Sequence, residues 1–469
     1  MGNHQLSKYL KGRNLKMANI NIVTLGCKVN QYESEWMKEQ LAEKGHKIVP
    51  FFVDADVVVV NTCTVTSESD RKSRQIARKV RKVNPNAKIV ILGCSSQLNP
   101  ASFSEFDFVG GNEEKKDIIK IIEKLMSNGK KTFSKIKKNY YLNEKLDDMI
   151  IKNFENKTRA FVKVEDGCDQ FCTYCAIRLA RGNRIRSKTP IVVIKEVTDL
   201  VKNGYKEIVL TGINLGKYGE DKGTNLIRLL KRLVKIEGNF RLRLSSLNPN
   251  DINDKLIDLF EDHPKKLCRH LHISLQSGSN RILKMMGRRY SINEFVDVVY
   301  KLRKIDPFFS ITTDVIVGFP GENDEDFEQT LQLCSFVKFS KVHIFRFSPR
   351  KGTPAYELWS KNRVPDRISK ERAKILNDHV NEMRRFYLRE HIGKIRKVLI
   401  EMINEEDGRI FSTGFDDYYV PHFIDGVLLE NTFVDSIPIS VNKKGVRSRI
   451  ACECERAMAD QEGSKNFYT

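Results

Sequence analysis

No stretch of this 469-residue chain holds the roughly 20 consecutive apolar residues that a membrane-spanning helix needs. The opening segment, MGNHQLSKYLKGRNLK, lacks the apolar core of a signal peptide, and Met17 is an alternative start to Met1. With 27 glycines and 13 prolines the chain is too poor in both to be collagen-like or low-complexity. Ten cysteines are too few at this length for a disulfide scaffold. Together these absences indicate a cytoplasmic globular protein of two or three domains, with no membrane partner. Acidic residues are also short, 60 Asp and Glu against 81 Lys and Arg, a formal charge of +21. Such an excess points to a polyanionic partner, and without a membrane signal nucleic acid is favoured over lipid. A solvated basic surface is the plainer alternative.

What is present is an alternation of strand and helix. NINIVTLGC, DADVVVVNTC and AKIVILGC are apolar runs separated by helical segments, which predicts an open parallel sheet covered on both faces. Residues 127–155 are Lys-rich and weakly periodic and read as a linker. From Thr158 the alternation resumes with RAFVKVEDG, KEIVLTGIN, RLRLSSL, LHISLQSG, SITTDVIVGFPG and KVHIFRFSP. Six strand–helix units predict a full or partial (β/α) barrel with its site at the carboxyl ends of the strands. Beyond His391 the pattern changes to short strand-like pieces, a small all-β module. The fold class is therefore α/β, with a small all-β barrel at the end of the chain. The expected boundaries are 18–126, a linker over 127–155, 156–390, 391–454 and a tail at 455–469.

Cys168, Cys172 and Cys175 follow the first barrel strand in DGCDQFCTYCA. Thiolates are soft ligands suited to iron–sulfur clusters or zinc. A structural zinc site wants four ligands, and no fourth Cys or His stands nearby. Three thiolates leave one metal position open, in a cubane cluster or in an open zinc site. A second set is spread through the first domain. Cys27, Cys63 and Cys94 each directly follow an apolar run, in IVTLGC, VVVVNTC and IVILGC. In an open α/β sheet the crevice outside the carboxyl ends of the strands is where ligands bind, so three thiols at three such ends can converge. Gly26 and Gly93 permit close backbone approach there. Ordinary buried cysteine is the plainer alternative for any one of the three.

The CxxxCxxC spacing, with Tyr174 before its last cysteine, resembles the radical S-adenosylmethionine (SAM) enzymes over roughly residues 156–390. Several motifs narrow the resemblance over about 18–445: TLGCKVNQYESE, NTCTVTSESDRKSRQ, EDGCDQFCTYC, TGINLGKYG, RLSSLNP, HISLQSGSNRILKMMGRRY, TDVIVGFPGE and FSPRKGTPA. With a cysteine-bearing first domain and a last β module, the chain is similar to the radical SAM methylthiotransferases. The resemblance implies a partial (β/α)6 radical SAM barrel, a TRAM-like RNA-binding β barrel, SAM, and two 4Fe-4S clusters held by Cys27, Cys63 and Cys94 and by Cys168, Cys172 and Cys175. The Lys28, Val29 and Asn30 version of the first motif most resembles the branch acting on N6-threonylcarbamoyladenosine at position 37 of tRNA. The other branches act on isopentenyl-adenosine or on a ribosomal-protein aspartate, and a non-catalytic iron–sulfur RNA-binding protein is a rival of another class. The implied partners are the tRNA anticodon loop and an electron donor such as flavodoxin or ferredoxin.

SAM contacts are expected from later strand ends, at Asn214, Ser245, Ser246, Gln276, Ser277 and Asp314. One departure stands beside the second triad, where Ile177, Arg178 and Leu179 replace the family's Ile-Ile-Pro and bring an extra charge. Arg71, Lys72, Arg74, Arg78, Lys79, Arg81 and Lys82 share one basic helix suited to RNA phosphates, and Lys394, Arg396 and Lys397 suggest a second RNA surface. Cys268 and Cys334 read as packing residues, and Cys452-x-Cys454 has no assigned role.

Overall fold

A computed structural model describes residues 17–50, 53–128, 132–133, 136, 145–154 and 158–456. About half of the expected linker and residues 457–469 of the expected tail lie outside the described residues, as does Met1. The chain divides into two compact units, residues 1–143 and 144–469. No described helix is long and apolar enough to cross a membrane.

The first unit is built on a six-stranded sheet of β1 (Asn19–Thr24), β2 (Lys47–Ile48), β3 (Val57–Thr62), β4 (Lys88–Gly93), β5 (Phe108–Val109) and β6 (Thr132–Phe133), in spatial order β2-β1-β3-β4-β5-β6. Every pairing is parallel. The three long strands are the three apolar runs, and Val57 through Val60 are wholly buried, as strands covered on both faces require. Strands β2, β5 and β6 are two residues each, too short to register as periodic runs. The helix Ser67–Val83 starts at Thr66, whose hydroxyl accepts from the Ser69 N–H at 3.1 Å. Acidic Glu68 and Asp70 in its first turn and basic Arg81 and Lys82 in its last complement the helix dipole. Arg81 is tied to Asp107 at 2.6 Å and to the Ala87 carbonyl, so it serves the fold rather than the open basic face.

In the second unit β7 (Arg159–Lys163) is followed by the short β8 (Glu165–Asp166), which pairs antiparallel with β9 (Arg186–Ser187). Strands β10 (Glu207–Thr211) and β11 (Arg241–Leu244) join β7 in one parallel sheet. Strands β12 (Ser246–Leu247), β13 (His270–Ile273), β14 (Ser310–Val317) and β15 (Lys341–Arg346) form a second. Only Ser245 separates β11 from β12, so one strand path serves both sheets. The result is six parallel strand paths, the six apolar segments of the sequence, in a partial barrel. The helix Asp366–Arg389 packs on β15 and leads to a closed five-stranded barrel of β16 (Arg396–Glu406), β17 (Arg409–Phe415), β18 (Pro421–Asp425), β19 (Phe433–Val441) and β20 (Val446–Ile450).

A buried ion cluster fastens this β module to the amino ends of the barrel strands. Glu207, wholly buried, accepts from Arg241 Nε at 2.7 Å and from Arg243 Nε at 2.7 Å. Arg241 reaches the Phe415 carbonyl at 2.8 Å, Arg243 the Asp416 carbonyl at 3.0 Å, and Arg159 pairs with Glu401 at 2.8 Å. Burial opposes ionisation of Glu207, but the guanidiniums of Arg243 and Arg241 outweigh it and hold the carboxyl well below the usual carboxylate range. Arg396 lies over the rings of Tyr418 at 4.3 Å and Phe308 at 5.1 Å and bonds His391 at 3.1 Å, so it belongs to this junction and not to an RNA face.

Glu207→Gln strands two buried guanidiniums, and a loss of about 3–5 kcal/mol is expected in chemical denaturation of the second unit. Because the folded carboxyl is depressed, its contribution is present above about pH 4.3, the ordinary Glu value, and is lost as pH falls below it. The variant should therefore lack that part of the acid-induced loss. Equal stability of variant and wild type at pH 7 would refute the role of the cluster.

Candidate functional site

The order β2-β1-β3-β4 reverses direction between β1 and β3, and a crevice opens at such a switch point. Cys27 follows β1, Cys63 follows β3 and Cys94 follows β4, so the three thiols gather at the carboxyl edge. Burial pushes the Cys63 thiol up to about 12, and the nearby sulfurs of Cys94 and Cys27 add to the shift. The approach is close. A Cβ on Gly26, at φ +94°, would lie 2.5 Å from Cys63 Sγ, and one on Gly93, at φ +108°, would lie 2.5 Å from the Thr62 carbonyl. Asn30 holds the strand ends in register by donating to the Leu25 carbonyl at 2.8 Å and the Thr62 carbonyl at 3.0 Å. Thr62 Oγ1 donates to the Leu92 carbonyl at 2.7 Å.

The second set is shaped by the loop after β8. Asp166, buried, receives Lys163 Nζ at 2.7 Å and Arg181 Nη1 at 3.0 Å, which anchors the loop two residues before Cys168. Gly167, at φ +91°, is required there, because a Cβ would lie 2.0 Å from the Arg184 carbonyl oxygen. Burial raises the Cys168 thiol far above its ordinary value, with Cys175 and Cys172 contributing. Burial likewise raises Cys175, with Cys172 next. Thr173 ties the loop to the Met286 carbonyl at 2.9 Å, and Tyr174 packs against Ile282, Met286, Phe319 and Ala355. The departing segment forms the short helix Ile177–Arg181, and Arg178 stacks on Phe171 with 4.0 Å to the ring centroid.

The donor chemistry fits a cluster at both places. Backbone N–H groups two residues on are bonded to the sulfurs: Val65 to Cys63, Gln170 to Cys168 and Ile177 to Cys175. These donors favour thiolates, the form a metal binds. Among the described residues, no three His, Cys, Asp or Glu side chains stand close enough to share a single ion, as an open zinc site would need. A cubane instead takes each thiolate on a different iron.

A belt of polar side chains crosses the mouth of the partial barrel. Arg288 Nη1 donates to Cys172 Sγ at 3.1 Å, its Nη2 to Asn248 Oδ1 at 2.6 Å and its Nε to Tyr290 at 3.0 Å. Asn248 donates to Asn214 Oδ1 at 3.2 Å, and Asn214 donates to Asp169 at 3.1 Å. The Asn214 N–H bonds Glu165 Oε2 at 2.7 Å. Glu165 is wholly buried, its Oε1 has no partner among the described residues, and burial raises its carboxyl well above the usual range. Of the sites expected from sequence, Asn214 lies in this belt, and Ser245 is buried with a hydroxyl that has no partner among the described residues. Gln276 is buried at φ +73° and bridges to β14 through the Asp314 carbonyl. Asp314 is inside β14, not at its end, and faces His272 Nε2 at 3.4 Å. Ser277 is buried, whereas Ser246 is exposed. Sequence reasoning assigned no role to Arg288, Asn248, Glu165 or His272, although GRRY and SSLNP stood among the quoted motifs. Cys268 and Cys334 are buried thiols pushed up to about 12 by burial, in keeping with packing.

The radical SAM superfamily matches residues 162–334, and a family described as uncharacterized, UPF0004, matches 19–110. The chain is 48% identical over 408 residues to the threonylcarbamoyladenosine tRNA methylthiotransferase MtaB of Thermotoga maritima, covering 87% of this chain and 91% of that protein. It is 39% identical to the Aquifex aeolicus protein of the same name, covering 84% and 94%. Among solved structures, a radical SAM methyltransferase, TsrM, from Kitasatospora setae aligns with a TM-score of 0.53 over 72% of this chain and 77% of that one. At 13% identity that likeness concerns the fold alone. On these similarities the chain belongs to the radical SAM tRNA methylthiotransferases, in their threonylcarbamoyladenosine branch.

Proposed function

We propose that this chain adds a methylthio group to C2 of N6-threonylcarbamoyladenosine at position 37 of tRNA, acting in the cytoplasm with an electron donor such as flavodoxin or ferredoxin. The observation that carries the reading is the pair of three-thiol sets, one gathered at the carboxyl ends of three parallel strands and one in the loop after β8. In this reading residues 18–126 hold an auxiliary 4Fe-4S cluster through Cys27, Cys63 and Cys94. Residues 156–390 hold the second through Cys168, Cys172 and Cys175, and residues 391–454 are the RNA-binding module. When bound, SAM and the two clusters supply the methyl group, the sulfur and the 5′-deoxyadenosyl radical that the reaction consumes.

The protein's own part is to bind, orient and exclude water. Backbone N–H groups stabilise the thiolates, and Arg288 sets a fixed positive charge beside Cys172. Ser245 Oγ and Glu165 Oε1, buried and without partners among the described residues, have hydrogen-bonding capacity left for SAM or the modified base. Asn214, Gln276 and Asp314 complete the expected SAM contacts. Arg71, Lys72, Arg78, Lys79 and Lys82 lie exposed on one helix, where they suit phosphates. On the β module Phe411 and Phe423 pair at 5.8 Å beside Arg409 and Arg447, a surface on which unstacked bases can lie.

Anaerobically prepared protein should hold about eight irons per chain, falling to about four when Cys168, Cys172 and Cys175 are all changed to Ala. About four falling to none would remove the auxiliary site. Gly26→Ala, whose Cβ meets Cys63 Sγ, should likewise drop iron to about four, while Gly204→Ala, with φ +93° but nothing within 4 Å, should keep about eight. Nucleoside analysis of tRNA from a strain lacking the protein should show threonylcarbamoyladenosine in place of its methylthio form. An unchanged methylthio level, with no compensating enzyme present, would overturn the substrate. Loss of methylthio-isopentenyl-adenosine instead would move the chain to the neighbouring branch.

A further inference from the structure

Among the described residues, which include all ten cysteines, only Cys452 and Cys454 are exposed. The proposed chemistry uses neither. They follow β20 in a turn that is built before any bond joins them. The Cys452 N–H donates to Glu455 Oε2 at 2.9 Å, the reach-back contact of a helix-start capping box. Arg449 Nη1 donates to the same carboxylate oxygen at 2.9 Å. Arg456 Nη2 donates to the Ala451 carbonyl at 3.0 Å, and the Ala451 N–H bonds the Asp435 carbonyl at 2.9 Å, tying the turn to β19. Within this frame the two sulfurs stand 2.8 Å apart.

Two uses suit a pair of thiols so close: a soft metal ion or a disulfide. A metal would want further ligands. No third His, Cys, Asp or Glu side chain joins the pair in an ion-binding group among the described residues. A disulfide needs only the two sulfurs. Residues two apart on a helical turn have Cα atoms about 5.5 Å apart. That lies inside the window of about 4.4–6.8 Å that disulfides span. The guanidinium of Arg449 lies near both thiols, while hydrogen bonding to Cys454 and to the Glu455 carboxylate raises the Cys452 thiol above its ordinary value.

We propose that Cys452 and Cys454 are a reversible dithiol–disulfide site that exchanges with low-molecular-weight disulfides of the glutathione class. One thiolate attacks the small disulfide, forms a mixed disulfide and releases one small thiolate. The second cysteine, giving up its proton, attacks the protein sulfur of that intermediate, closes the Cys452–Cys454 bond and expels the second small thiol. The protein loses two electrons and two protons, and the small disulfide gains both. Reduction by a dithiol reverses every step. The exchange is independent of the methylthiolation reading, because no residue of either three-thiol set takes part.

The test uses the full chain, loaded and handled anaerobically, and treated with excess oxidised glutathione before alkylation and peptide mass mapping. Wild type should lose both tail thiols, lighten by two hydrogen masses and carry no glutathione, and dithiothreitol should restore both thiols. Cys452→Ser and Cys454→Ser should each stop at one stable glutathione adduct. Stable adducts on wild type, chain-to-chain disulfides, or two thiols that stay alkylatable would each overturn the proposal. The serine variants alter exposed side chains, so unchanged iron content and melting temperature are their check on folding.

Discussion

All strands of each α/β sheet run the same way, and that single polarity governs where chemistry and adhesion go. A parallel sheet sends every carboxyl end to one edge. Residues far apart in sequence, if each directly follows a strand, therefore arrive side by side. Cys27, Cys63 and Cys94 meet this way at the ends of β1, β3 and β4. In the barrel the same polarity brings Glu165, Asn214 and Asn248 into one belt with Arg288 and Cys172. The opposite ends are then available for fastening. Arg159, Glu207 and Arg241 are the first residues of β7, β10 and β11, and with Arg243 they bind the β module.

Several buried charges of this chain are answered by a buried partner of opposite sign. Glu207 meets two guanidiniums, Lys115 meets Glu33 at 2.6 Å, and Lys188 meets Glu196 at 2.6 Å. Such pairs add little net stability compared with apolar packing, but losing one partner is costly. They therefore penalise alternative arrangements of the segments they join. Asp166 is a case in point. Its cationic partners Lys163 and Arg181 come from either side of the three-cysteine loop and hold its base in one conformation. Against that background the unanswered groups stand out. Ser245 Oγ and Glu165 Oε1 are buried without partners among the described residues, at the carboxyl ends of barrel strands.

The six thiols were legible because each carries a local mark, an apolar run before it or a tight spacing around it. The barrel strands were legible for the same reason, as apolar or alternating segments. Asn214, Ser245 and Gln276 were singled out by asking which polar residue follows a strand, and of these Asn214 lies in the polar belt. Asp314, read as near a strand end, lies inside a strand that continues to Val317, where it faces His272. Strands β2, β5 and β6, with two residues each, carry too few side chains for any period to show.

What the sequence determined by itself is the order of parts, the polarity of the strands and the identity of the thiol ligands' candidates, because these follow from local pattern and spacing. Tertiary structure alone decided which distant groups answer them. Arg288 lies 116 residues from the cysteine it bonds, and Arg241 lies 174 residues from the Phe415 carbonyl it holds. An arginine looks the same in sequence whether it faces RNA, a carboxylate or a sulfur. Arg396 and Arg81, read as RNA contacts, turned inward to aromatic rings, His391 and Asp107. A long charged side chain takes its role from whatever folding brings within reach of its tip, and no local period records that.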